Sequence, residues 1–366
     1  MSAVTEVIRT ERVEDVVAAV RDQPQLWVRS GGSKDALSTP AAGAVSLDVR
    51  GLRGILEYNP GEYTFTALAG TSVQEVEAAL AAHGQHLPFD PPLVGRGATL
   101  GGTVAAGLSG SGRYRYGGVR DFLLGIQMVD GNGQVVRGGG KVVKNAAGFE
   151  LPKLMVGSLG CLGVLTELCF KVFPQPAAYG TLAAAYPTLD EAVAALMHLS
   201  AAPVDLFAVD LLPEDAGAGA TLLLRLGGLA GVLPTRLASL RDRLGRGAPV
   251  ESAAEAELWR QARDLDWAPA SQPLAKVALT PKQIPALDAQ LGAAGARRRY
   301  AVGGNLAWIS WPLSLPALDA LLQGLSLPGL VILGAGGPRR LGVRRGDALA
   351  ARVKQVLDPA GRFPEL

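Results

Sequence analysis

Apolar positions recur three and four apart from Val13 to Val20 and give way to a short apolar run at Leu26 to Val28, so the chain opens on a helix followed by a strand. Ala44 to Asp48 and Tyr63 to Ala69 read as further strands. Thr71 or Ser72 stands where the cap of a helix over Val73 to His83 belongs, and Glu75 falls in its first turn, where the helix dipole favours an acid. Leu123 to Val129 and Gln134 to Arg137 alternate about Asp130-Gly131-Asn132-Gly133, a hairpin signal.

After Pro174 and Pro176 the texture changes, which places a boundary there. The spacing then predicts strand (Gly180 to Tyr186), helix (Leu189 to Leu199), two strands (Leu206 to Leu212, Thr221 to Leu226) and helix (Pro234 to Leu244). A helix over Glu255 to Leu265 follows. The pattern then recurs: strand (Leu274 to Leu279), helix (Ile284 to Leu291), strands (Arg299 to Val302, Leu306 to Trp311), helix (Leu315 to Leu322), strand (Leu330 to Leu333). Two β-α-β-β-α units predict two ferredoxin-like halves sharing one antiparallel sheet with helices on one face. The expected organisation is α+β, with a first domain over 1–176, a second over 177–343, and a final helix (Arg344 to Leu357) and tail over 344–366 that return to the first.

Three stretches of small residues carry the candidate chemistry. Arg29-Ser30-Gly31-Gly32-Ser33-Lys34 ends the Leu26 strand in a loop whose backbone N–H groups can form an anion site, with two cations beside it. A plain hairpin turn is the competing reading. Thr99-Leu100-Gly101-Gly102-Thr103-Val104-Ala105-Ala106-Gly107-Leu108-Ser109-Gly110 is nearly free of side chains, so its backbone can approach a flat ligand, or a helix there can pack tightly on a sheet. Gly157-Ser158-Leu159-Gly160-Cys161-Leu162-Gly163-Val164 runs into a strand, and its glycines suggest a bulge or a close neighbour. Neither a Walker loop nor a Gly-x-Gly-x-x-Gly fingerprint occurs.

In order and spacing these stretches resemble the flavin-binding domain of the vanillyl-alcohol oxidase and p-cresol methylhydroxylase superfamily, over roughly residues 1–176. The likeness rests on Arg29-x-Gly31-Gly32-Ser33, Thr99-Leu100-Gly101-Gly102, Tyr116-Gly117, Arg120-Asp121-x-x-x-Gly125 and Gly163-x-Leu165-x-Glu167. Leu87 to Pro92, Lys144 to Glu150 and Lys153 to Ser158 narrow it to the FAD-binding subunits of bacterial glycolate oxidase. Where that family usually has Gly-Tyr-Asp, this chain has Gly148-Phe149-Glu150, which leaves no tyrosine hydroxyl there.

The resemblance implies a two-part FAD-binding domain in which Arg29, Ser30, Gly31, Gly32, Ser33, Lys34, Pro91, Thr99, Leu100, Gly101, Gly102, Ala105, Ala106, Ser109, Gly110, Gly163 and Val164 line the cofactor. It also implies partners: a larger FAD subunit bearing the hydroxy-acid site and an iron–sulfur subunit, the complex oxidising a small 2-hydroxy acid such as glycolate. This chain would relay electrons or buttress the larger subunit. A self-contained FAD-dependent dehydrogenase of another hydroxy acid or alcohol, and a scaffold that binds no flavin, are the competing functions.

Composition narrows the rest. A net charge of +2 with 5 % aromatic residues and no basic stripe argues against nucleic acid. No apolar run reaches the roughly 20 residues of a membrane span, and no secretory leader is evident, so the expected location is cytoplasmic, with membrane contact only through partners. Cys161 and Cys169 lack the spacing of an iron–sulfur or zinc site and read as buried small residues. The histidines are His83, His86 and His198, none in the Arg29 to Lys34 loop; since members of the resembled superfamily that attach FAD covalently commonly use a histidine near that loop, the resemblance implies a non-covalent flavin. His83 and His86 read as the end of a helix and not as a metal site, and Gly334 to Pro338 reads as a turn. A base for the hydroxyl proton is not evident, Lys144 being the one candidate; the catalytic residues are left unassigned.

Overall fold

Helical spacing at the amino terminus folds as α1 (Val13–Asp22) between β1 (Val7–Arg9) and β2 (Leu26–Arg29). With β3 (Val45–Asp48) the strands make a parallel sheet in the order β1-β3-β2. Parallel pairing needs a crossover, and α1 supplies it. Its Val16 and Val20 are fully buried against Leu26, Leu47 and Leu52. The computed structural model describes residues 6–40, 43–140, 150–214, 219–334 and 336–365.

A second, antiparallel sheet follows, built from β4 (Ile55–Asn59), β5 (Thr64–Leu68), β7 (Leu123–Val129), β8 (Val135–Gly139) and β9 (Val164–Lys171) in the order β4-β5-β9-β7-β8. Val129 and Val164 join the same core cluster as the parallel strands, so the two sheets share one interior. Between β5 and β7 lie α2 (Val73–Ala81), β6 (Gln85–His86), α3 (Leu100–Ala106), α4 (Arg113–Tyr116) and α5 (Val119–Phe122). Ser72 is the cap of α2, its hydroxyl accepting from the Glu75 N–H. After β8 come α6 (Leu151–Met155) and β10 (Phe173–Pro174), which pairs with β6.

Contacts divide the chain into two compact units. The first comprises Met1–Ser109, Gly118–Gln175 and Arg345–Leu366, the second Gly110–Gly117 and Pro176–Arg344. The excursion at Gly110–Gly117 has no counterpart in a division at 176 alone.

The second unit is a nine-stranded sheet with antiparallel neighbours throughout. Its first half is β11 (Ala178–Tyr186), α7 (Leu189–Ser200), β12 (Ala208–Pro213), β13 (Ala220–Gly228), α8 (Leu233–Leu244) and β14 (Ala248–Pro249), followed by α9 (Ser252–Asp264). Its second half is β15 (Leu274–Ala278), α10 (Ile284–Ala293), β16 (Arg297–Ala301), β17 (Leu306–Ser310), α11 (Leu315–Gly324) and β18 (Pro328–Leu333), with β19 (Arg340–Gly342) at the edge. The sheet order β14-β11-β13-β12-β16-β17-β15-β18-β19 gives each half the ferredoxin-like pattern, the halves meeting where β12 pairs with β16 at Leu211 and Tyr300.

The helices are not confined to one face, which corrects the sequence reading. Leu237 of α8 packs over Gly180, and Asp288 of α10 bonds Arg298 and Tyr300. Residues one register position away point to the opposite side, where α9 sets Trp259 on Thr181 and Glu255 on Arg225. The short α4 covers the same side of β12, Tyr116 resting edge-on against Phe207. Alternation of side chains along a strand requires this division.

The last helix, α12 (Asp347–Leu357), carries the tail back to the first unit. The ammonium of Lys354 donates to the carbonyls of Cys161 and Phe363 at 2.9 Å and meets the Asp358 carboxylate at 2.5 Å. Phe363 enters the core beside Val20 and Leu26. No helix among the described residues is long and apolar enough to cross a membrane.

Candidate functional site

The strand β2 breaks at Ser30 because Gly31 and Gly32 follow, and what the break exposes is backbone. The N–H groups of Gly31, Gly32, Ser33 and Lys34 donate to no protein acceptor among the described residues. Gly32 holds φ +70°, and a side chain there would meet only the Arg29 guanidinium, 3.9 Å away. Successive free N–H groups in such a turn form a concave anion site. Lys34 completes it. Its side chain is buried, 8 % exposed, and among the described residues its ammonium bonds one group, the Ser33 hydroxyl at 3.0 Å. Burial without a counter-charge pushes its pKa down to about 8. Ser30 adds a buried hydroxyl with no partner among the described residues, while Arg29 stacks over the Trp27 ring at 4.6 Å.

A second loop backs this one. Gly31 lies so close to the Gly97 carbonyl that a Cβ would stand 1.9 Å from its oxygen, and Thr99 is the next neighbour. The 90–97 segment is strained: Asp90 and Leu93 hold φ of 52° and 65°, a conformation unfavourable for a side chain. Pro91 is buried within it.

The Thr99 to Gly110 run is a helix packed on a sheet over its first half, and its glycines serve that packing. Thr99 caps α3, its hydroxyl accepting from Gly102 N–H at 3.2 Å. Leu100 N–H donates to Thr71 and Gly101 N–H to Ala69, so this helix end presents no open donor there. A Cβ on Gly101 would lie 2.8 Å from the Ala69 Cβ, so its bare side faces β5 and not a ligand. Gly163 is likewise filled in, by Met128 and the Val129 carbonyl, and Val164 is core. The Ser109 hydroxyl is spent accepting from Val119 N–H, and Gly110 belongs to the second unit. Gly101, Gly163 and Ser109 thus have these sides occupied by the protein's own atoms. Ala105 and Ala106 lie on the helix with Gly102, whose missing Cβ meets only the Thr99 hydroxyl.

The third stretch does converge on the second. Gly157 N–H donates to the Val104 carbonyl and Leu159 N–H to that of Ala105, laying the 157–159 turn along α3. Thr103 and Ser158, absent from the sequence-derived site, are 1 % and 3 % exposed and hold hydroxyls with no partner among the described residues. Both lie inside the small-residue runs, but nothing local separates them from other hydroxyls there. Gly31 against Gly97 and Thr99, and α3 against the 157–159 turn, thus link all three stretches within the first unit.

Lys144 to Phe149 lies outside the described residues. Just beyond it, Lys153 donates to the carbonyls of Arg120 and Leu123. His83 sits edge-on against Tyr58, and His86 donates from Nδ1 to the Phe173 carbonyl at 3.2 Å, burial lowering its pKa to about 4. Cys161 and Cys169 are both buried.

Residues 2–139 match the family described as FAD binding domain. Glycolate oxidase subunit GlcE of Escherichia coli (strain K12) is 49 % identical over 166 residues, 45 % of this chain and 47 % of that protein. Glycolate oxidase subunit GlcD of Bacillus subtilis (strain 168) is 33 % identical over 165 residues, 45 % of this chain and 35 % of that one. The chain thus spans about half, or less, of the length of these relatives. Among solved structures, an alkyldihydroxyacetonephosphate synthase superposes with a TM-score of 0.73 over 98 % of this chain and 77 % of its own, at 18 % identity, a likeness of fold. Residues 2–139 thus match an FAD binding domain, and the likeness to GlcE covers 45 % of this chain.

Proposed function

We propose that the chain is the FAD-binding subunit of a glycolate oxidase-type complex that oxidises a small 2-hydroxy acid to the 2-oxo acid. FAD is held without a covalent bond, its diphosphate on the Gly31 to Lys34 loop. One observation carries this placement: backbone N–H groups without a protein acceptor lie beside a buried lysine that has no carboxylate partner among the described residues. An enclosed, unneutralised ammonium costs stability that an anionic ligand returns. The unpartnered hydroxyls of Ser30, Thr103 and Ser158 supply further donors along the same linked stretches.

When bound, the flavin accepts a hydride or passes electrons. The chain's own residues bind and orient it. Lys34 neutralises phosphate charge, the Gly32 turn shapes the cradle, and α3 with the 157–159 turn gives a flat wall of little side-chain bulk. The resemblance to GlcE supports a larger FAD subunit and an iron–sulfur subunit as partners in the same complex, with membrane contact made through them and a cytoplasmic location.

Purified chain tests the reading. The expected result is a yellow protein whose colour leaves the pellet on acid precipitation and is lost in Lys34→Met with the fold intact. Colourless wild-type protein that takes up no FAD would overturn it. Bleaching of the isolated chain by glycolate or D-lactate would replace the subunit reading with that of a self-contained dehydrogenase.

A further inference from the structure

Within the first unit the carboxyl-terminal tail is fastened by one buried hub. Lys354 of α12 is 7 % exposed, and its three donors have three acceptors: the Asp358 carboxylate at 2.5 Å and the carbonyls of Cys161 and Phe363 at 2.9 Å. Asp358, 2 % exposed, also accepts from the Arg362 and Phe363 N–H groups, both at 2.9 Å, and so folds the tail back on itself. The β7–β8 hairpin closes tightly on this turn. A Cβ on Gly131 would stand 2.3 Å from Asp358 Oδ1, and Gly131 N–H donates to the Leu357 carbonyl at 2.7 Å. Removing one member of so enclosed a charge pair is costly, because the other stays buried.

Two pieces of the proposed FAD site are tied to this hub. β2 lies at the edge of the parallel sheet, beside β3, and its first residue, Leu26, donates its N–H to the Arg362 carbonyl at 2.7 Å. The Arg362 guanidinium donates in turn to the Gln23 carbonyl, just past α1. β2 ends at Arg29, and the Gly31 to Lys34 loop follows. On the other side, Cys161 continues the 157–159 turn. Its N–H donates to the Ser158 carbonyl at 2.9 Å, its carbonyl accepts from Lys354, and its thiol donates to the Glu365 carbonyl at 3.2 Å. The tail is thus bonded through Arg362 to the strand that carries the loop, and through Glu365 and Lys354 to the turn that lies along α3.

We propose that Lys354 is a positioning residue for FAD: it closes the tail over β2 and Cys161 and so holds the loop and the turn at the spacing that FAD needs. This rests on the placement of FAD given above and adds what controls it. The coupling is reciprocal. If FAD binds only with the tail closed, the fraction of closed tail scales the affinity, and bound FAD opposes opening of the tail. A clamp that served stability alone would leave FAD affinity unchanged in a folded variant, and its tail would open as often with FAD as without.

The test uses the full chain freed of flavin and titrated with FAD. Lys354→Met, and Gly131→Ala, which disturbs the same clamp from the hairpin, are each expected to bind FAD about tenfold or more weakly while circular dichroism shows them folded. In the wild type, FAD in about hundredfold excess over its Kd is expected to slow hydrogen exchange at the Arg362 and Phe363 amides about tenfold or more. The conditions are those in which these amides exchange faster than those of β9, so that opening of the tail and not of the whole domain is read. Unchanged affinity in both folded variants, or tail amides unmoved by FAD while those of the Gly31 to Lys34 loop slow, would overturn the positioning role and leave the FAD site standing. A wild-type chain that takes up no FAD would overturn both.

Discussion

Gly31 and Gly97 come so close that a Cβ on the first would stand 1.9 Å from the carbonyl oxygen of the second. The φ of Gly31 is not in the left-handed region, so the demand is for space and not for conformation. Gly31→Ala is therefore expected to push the two loops apart, costing about 1–3 kcal/mol and weakening FAD retention. Thermal unfolding of the flavin-free protein and flavin content measure the two effects; an unchanged Tm with full FAD occupancy would contradict the contact.

Gly101→Asp and Gly32→Glu should fail differently. At Gly101 the new side chain drives into Ala69, so the FAD domain unfolds or expresses poorly. At Gly32 there is open space but a φ of +70°, which costs about 1–2 kcal/mol for a side chain. That variant is expected to fold and to reject FAD, because its carboxylate meets the phosphate cradle. Circular dichroism beside flavin content separates the two outcomes.

Lys34 gives the flavin-free protein a pH signature. Its folded pKa of about 8 lies below the ordinary lysine value of 10.5, so between these values the unfolded chain binds more protons and stability rises with pH. The penalty is full below about 8 and is relieved as the pH climbs toward 10.5, by on the order of 3 kcal/mol. Lys34→Met should remove that slope, and FAD should flatten it in the wild type by restoring the amine's pKa. Denaturant unfolding from pH 7 to 10, wild type against variant, is the measurement; parallel curves would dissociate Lys34 from any buried charge.

In the second unit, Asp288 accepts two bonds from Arg298, at 2.7 and 2.8 Å, and one from the Tyr300 hydroxyl at 2.9 Å. Tyr300 is raised well above the usual phenol range by burial and by that carboxylate. Asp288→Ala strands a buried guanidinium and is expected to cost about 3–5 kcal/mol, with Asp288→Asn intermediate. A fall in Tm of only a degree or two for the alanine variant would show the network to be replaceable.

Much of this architecture is written locally. Serine and glutamate spacing gives the cap of α2, Asp130-Gly131-Asn132-Gly133 gives the β7–β8 hairpin, and alternating apolar runs give both ferredoxin-like halves. Short or polar strands such as β1, β4, β14 and β19 escape that reading, because their pairing and not their pattern makes them strands. A lone lysine in the run Leu274-Ala275-Lys276-Val277-Ala278 was a visible irregularity, but its neighbours were not.

The sequence by itself determined which stretches are bare enough for backbone to approach something, and the Gly31 to Lys34 loop keeps that role in the proposed site. Only the tertiary structure decided what each bare position faces. A missing Cβ looks the same whether it makes room for a cofactor or for Ala69, and Gly101 and Gly163 turn out to face their own sheet. Likewise, charge on Lys34, Lys276 and Arg299 is read from composition, but whether a carboxylate neutralises it depends on partners far away in sequence. Long-range pairing gives Asp210 to Arg299 and, among the described residues, leaves Lys34 and Lys276 without an acid.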